Sequence, residues 1–75
     1  MRQMAMLLEL LLASGFGQWQ SLDYIEARLV AFTHNEIIEA LGIALKEGWV
    51  KQNQTEGYTI TQSGLTEMNK LEGIV

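Results

Sequence analysis

The stretch from Thr33 to Gly64 is punctuated so densely that little besides helix, hairpin and helix fits it. Thr33, followed three residues later by Glu36, has the capping-box pattern. The hydroxyl accepts from the backbone N–H of the fourth residue, and that residue's carboxylate accepts from the first N–H, which fixes a helix start. Gly48 follows Lys46-Glu47 and precedes the β-favouring Trp49-Val50, so it is placed to take the left-handed conformation that stops a helix. Trp49 to Gln54 and Tyr58 to Thr61 then read as two strands, joined by Thr55-Glu56-Gly57 with its glycine free to adopt positive φ. Thr61 caps a last helix in which Leu65, Met68 and Leu71 share a face, and Ile74-Val75 form an apolar tail.

Upstream, Arg2 to Ala13 is rich in the helix formers Met, Leu and Ala, and Gly15 stops it. Its polar residues Arg2, Gln3 and Glu9 occupy a narrow stripe, while Met4, Leu7, Leu8, Leu10, Leu11 and Leu12 cover most of the circumference. Two accounts fit such a helix: the centre of a tiny core, or a face left over for another molecule. A 75-residue domain has difficulty surrounding a helix on every side, which favours the second account. The expectation is a homodimer joined through Met4, Leu8, Leu11 and Leu12.

Gly15 to Gln20 has too many glycines for a helix, with Phe16 and Trp19 to anchor it. Ser21 caps a second helix, Asp23 suits its first turn, and Leu22, Ile25, Ala27 and Leu29 supply its inner face with help from Tyr24. Val30-Ala31-Phe32 is an unusually apolar turn whose Phe32 can staple onto Ile37. In the third helix Ile37, Ile38, Leu41, Ala44 and Leu45 point inward, leaving Asn35, Glu36, Glu39, Ile43 and Lys46 outward. No repeat or linker divides residues 1–75, which read as a single domain.

With 48% hydrophobic and 19% charged residues the chain has a globular composition, not a disordered one. The lack of cysteine removes disulfides, thiol nucleophiles and thiolate metal sites, and the cytoplasm is the expected compartment. Ala5 to Ala13 resembles a short leader, but Glu9 in its centre opposes translocation, and no apolar run is long enough for a transmembrane helix.

Catalysis is not expected. His34 is the only histidine and has neither an orienting partner nor a metal cluster beside it in the pattern. Asp23 with Glu26, and Glu36 with Glu39, are carboxylate pairs on shared helix faces, explained by solvated surface. Gly15-x-Gly17 lacks the further glycine of a phosphate loop and marks a turn. No cofactor and no small-molecule site is expected.

Taken together, the helix ending in Leu45-Lys46-Glu47-Gly48-Trp49-Val50, the polar hairpin and the closing Tyr58-x-Ile60-Thr61-x-x-Gly64 resemble the second half of a winged helix-turn-helix domain. MarR-type and PadR-type bacterial regulators carry that module. With Ser21 to Leu45 as the helix-turn-helix, the resemblance spans nearly the whole chain and names a superfamily. It implies an α+β, mostly α fold: a three-helix core, a β wing of two or three strands and a C-terminal helix. A short strand often lies beside the hairpin in such proteins, here at Gly15 to Gln20.

The implied function is a small, dimeric, DNA-binding transcriptional regulator of prokaryotic or phage type. His34, Asn35, Glu36 and Glu39, at the start of the second helix of the motif, would then face base edges. Lys51, Gln52, Asn53 and Gln54 on the wing would contact backbone or minor groove, opposed by Glu56, and Arg28 and Lys46 would add phosphate contacts. Charge pulls the other way: the net charge is −4 and the pI about 4.7, whereas phosphate binding needs clustered cations. Arg2, Arg28, Lys46, Lys51 and Lys70 are scattered. The alternative is a winged-helix module that binds protein through Ile43, ringed by Glu36, Glu39 and Lys46. A continuous positive strip from Arg28 to Lys51 would mark DNA, and a negative third helix a protein.

Overall fold

The first helix, α1 (Arg2–Ser14), runs through the middle of the fold in the computed structural model, which describes residues 2–73. Around it come α2 (Leu22–Arg28), α3 (His34–Glu47), β1 (Val50–Asn53), β2 (Gly57–Ile60) and α4 (Gln62–Glu72). The arrangement is α+β and mostly helical, with one antiparallel pair of strands. Ile74 and Val75, the expected tail, lie outside the described residues.

Met4, Leu7, Leu8 and Leu11 are at most 1% exposed, because α1 is packed by α3, α4, β2 and α2. This corrects the expected dimer seam: Met4, Leu8 and Leu11 are enclosed by their own chain, and only Leu12 of the four is half-buried. The other elements contribute apolar side chains to the same core. Ile25 and Leu29 come from α2, Ile37, Ala40, Leu41 and Ala44 from α3, Val50 and Ile60 from the hairpin, and Met68 from α4. Full burial of one such aliphatic side chain contributes roughly 1.5–3 kcal/mol, so α1 alone supplies a large share of the stability.

Helix boundaries follow the caps. Ser21 Oγ accepts from the Tyr24 N–H at 3.1 Å, and Thr33 Oγ1 accepts from the Glu36 N–H at 3.2 Å while the Thr33 N–H donates to Glu36 Oε1 at 2.8 Å. The capping box is complete. Gly48 ends α3 at φ 79°, with its N–H on the Leu45 carbonyl and the Trp49 N–H on the Ala44 carbonyl. Some inner-face assignments change. Ile38 is 40% exposed and Ala40 takes its place in the core, while Ala27 and Phe16 face solvent.

The hairpin pairs Val50 with Ile60 and Asn53 with Gly57, so β1 is one residue shorter at each end than expected and β2 is shifted one residue toward the N-terminus. Beside it, Gln20 and Tyr58 exchange both backbone hydrogen bonds at 2.8 Å, so the expected third strand is a single bridged residue. Gly57, at φ 109°, is obligatory there, since a Cβ would collide with the Gln20 carbonyl.

The closing motif has a mechanical explanation. Thr61 Oγ1 donates to the Gly48 carbonyl at 2.7 Å and accepts from the Gly64 N–H at 3.0 Å, and the Thr61 N–H donates to the Trp49 carbonyl at 2.9 Å. One residue thus ties the end of α3 to the start of α4. Gly64 is buried so close to the Trp49 carbonyl that any side chain would overlap it. Among the described residues no helix is long and apolar enough to cross a membrane.

Two outcomes test this packing. Leu8→Ala should cost about 2–5 kcal/mol, a large part of a small domain's stability. Leu8→Glu should abolish the helical circular dichroism signal, and a folded Leu8→Glu protein would refute the central position of α1. The second concerns Glu72 of α4, whose carboxyl is raised above its ordinary value by a hydrogen bond with Glu9 of α1, then by desolvation and repulsion from the same group. The native state therefore holds that proton more tightly than the unfolded chain, and the ionised pair opposes folding above the raised pKa. This cost is relieved as pH falls through it. Glu72→Gln should raise the urea midpoint at neutral pH and lose that advantage in acid; an equal effect at both would exclude the pair as the cause.

Candidate functional site

Capping decides which face α3 can offer. Glu36 has its oxygens engaged, Oε1 by the Thr33 N–H and Oε2 by the Gln3 side-chain amide at 3.5 Å. The Thr33 N–H, foremost, holds its carboxyl below the usual value against some desolvation, with smaller contributions from the Thr33 hydroxyl and Gln3. Glu36 is thereby committed to the helix start and to α1. Turned the same way, Ile43 lines an open cleft with Gln3, Met4, Glu36, Glu39 and Ala40.

At about 100° per residue, the strip directly opposite the core-facing Ile37, Leu41 and Ala44 is Asn35, Glu39, Gly42 and Lys46, flanked by Ile38. All five are exposed. The outward set expected from sequence therefore divides in two: Asn35, Glu39 and Lys46 face straight out, whereas Glu36 and Ile43 face the cleft beside α1, with Glu39 reaching both. The strip is mixed in sign, with Glu39 and Lys46 on it together. The structure brings neither the continuous positive band nor a wholly negative helix.

His34 is exposed at the start of α3, and its Nδ1 lies 2.8 Å from Glu26 Oε2, joining α3 to α2 across the turn. Among the described residues Asn35 makes no side-chain hydrogen bond, and it is exposed. Arg28 stacks over the Tyr24 ring with its guanidinium carbon 4.8 Å from the centroid, still solvent-exposed, a geometry that holds the cation without neutralising it.

On the hairpin, Lys51 and Gln54 are exposed, and the Gln52 amide donates to the Tyr58 hydroxyl at 3.3 Å. Asn53 has a structural task besides the donor role expected of it. Its Oδ1 accepts from the Thr55 N–H at 2.8 Å, the Thr55 hydroxyl at 2.7 Å and the Glu56 N–H at 3.2 Å, which shapes the turn and uses up its acceptor.

Sequence reasoning passed over Gly42. It lies inside α3, where glycine costs about 1 kcal/mol relative to alanine, and the usual excuses are absent. Its φ is not positive, and a Cβ built on it meets no atom within 4 Å. The signal was available as an unexplained glycine between helix-forming neighbours, but only the open space around it removes packing as the reason. Ile38 was also missed as a surface residue, its apolar character having assigned it to the core.

Comparison with protein-family models, with curated proteins and with solved structures finds no match for this chain.

Removing the cap tests the local architecture. Thr33→Ala should destabilise the protein by about 1 kcal/mol, measured by urea unfolding. Because the Glu36 carboxyl is lowered in the native state, its contribution is present above the unfolded-state pKa and disappears as pH falls through the native one. The gap between wild type and Glu36→Ala should therefore narrow in acid. A gap that stays constant would sever Glu36 from the cap.

Proposed function

We propose that this chain is a winged helix-turn-helix protein that binds duplex DNA, in the manner of a small transcriptional regulator, and that it is not an enzyme. The order of elements supports the fold reading: α2 and α3 are separated by the five residues 29–33, and the β1–β2 hairpin follows α3 directly. The observation that carries the DNA reading is the outward strip of α3, which begins at a solvent-facing helix start and presents Asn35 unbonded. Of the expected reader set, Asn35 and Glu39 remain in position to meet bases, while Glu36 serves the cap and His34 is held by Glu26. Arg28, Lys46 and Lys51 are the cations available for phosphates, and Gln52 and Gln54 extend the polar edge of the wing.

A second reading rests on the cleft between α1 and α3, where Ile43 and Ala40 make an apolar floor and Glu36 and Glu39 an acidic rim. That chemistry suits a basic protein segment. The two readings part on salt and on the surface used.

Fluorescence anisotropy with labelled random duplexes should detect weak binding at low salt. With three cations per protomer, log K should fall against log salt with a slope of about −3. Lys51→Ala should weaken binding to all sequences alike and reduce the slope by about 1, since phosphate contacts carry no sequence information. Absence of binding at low salt, with a basic peptide captured through Glu39 and Ile43, would replace the DNA reading by the second.

A further inference from the structure

An exposed glycine in the body of a helix that has no steric or conformational need of it lowers stability without structural return. Gly42 is such a residue, set one turn from Lys46 and three residues from Glu39 on the outward strip of α3. An α-helix with its side chains is about 10–12 Å across and the major groove about 12 Å wide, so a helix enters with almost no clearance. A missing side chain at the middle of the inserted face lets the helix axis sit deeper.

From this, and resting on the DNA-binding reading above, we infer that Gly42 is the point of closest approach to duplex DNA, and that Asn35 and Glu39, both on its N-terminal side along α3, read an adenine and a cytosine there. The Asn35 amide matches the donor and acceptor of adenine, and the Glu39 carboxylate accepts from the cytosine amino group. Glu39 lies one turn beyond Asn35, about 6 Å along the axis at 1.5 Å per residue, which corresponds to neighbouring or next-but-one base pairs. Ile38, 40% exposed at the flank, offers an apolar contact for a thymine methyl. The strip holds no arginine, the commonest bidentate reader of guanine. The preferred site is thus centred on an adenine and a cytosine in close succession.

The test is selection from random duplexes with the full chain, followed by variants measured on the winning site. Gly42→Ala should raise the urea midpoint yet weaken binding to that site at least about five-fold, the size of one lost base contact. Gly42→Leu should remove specific binding while the fold survives, shown by circular dichroism. Asn35→Ala and Glu39→Gln should each lose between about five-fold and a hundred-fold on the selected site and flatten preference at one base pair, a different one for each. If the wild type selects a site that Gly42→Leu binds equally well, or a site without the adenine and cytosine, the inference fails while the DNA reading stands. If the wild type binds no duplex at low salt, both fall together.

Discussion

Enclosing α1 is the constraint on which the rest depends. A helix apolar around most of its circumference needs neighbours on several sides, and this chain supplies them by wrapping three helices and a hairpin around it. Small domains bury a limited fraction of their surface, so concentrating the burial in one central helix is an efficient use of few residues. Sequence reasoning took the wide apolar arc as evidence of a partner because a 75-residue domain has difficulty surrounding a helix on every side. Two neighbours cannot cover such an arc, but α2, α3, the hairpin and α4 arrive from different directions. Met4, Leu8 and Leu11 are accordingly core residues.

Thr61 holds the wrapping in register. Its hydroxyl and backbone N–H gather the Gly48 and Trp49 carbonyls, and the same hydroxyl caps α4. That turns the chain from hairpin to helix within one residue and brings the N-terminus of α4 against the start of β1, with Gly64 at the point of contact. One threonine and one glycine thus set the position of α4 relative to α3. A buried hydroxyl nearby, Thr59 Oγ1, has no hydrogen-bond partner among the described residues.

The candidate site shows how stability and proposed function compete for the same helix. The first turn of α3 gives Glu36 to the cap and His34 to the tie with α2, both structural commitments. What is left over faces outward: Asn35, Glu39, Gly42 and Lys46. Of these, Gly42 weakens the helix, and the fold offers no compensating contact. Residues that satisfy local rules are accounted for by structure; the one that breaks them is the informative one for function.

Much of this was legible in one dimension because it is governed by neighbours in sequence. The three N-caps at Ser21, Thr33 and Thr61 and the left-handed stop at Gly48 all depend on groups within a few residues, so their chemistry is written locally. The helix, hairpin and helix order followed from them. What the tertiary structure alone decided was how each amphipathic surface was spent. Ile38 moved to solvent and Ala40 joined the core, Glu36 and Ile43 turned toward α1 and away from the outward strip, and the acceptor of Asn53 closed the wing turn. Periodicity gives an angle around a helix axis, but the edge between buried and exposed is drawn by the neighbours that pack there, and those come from distant parts of the chain.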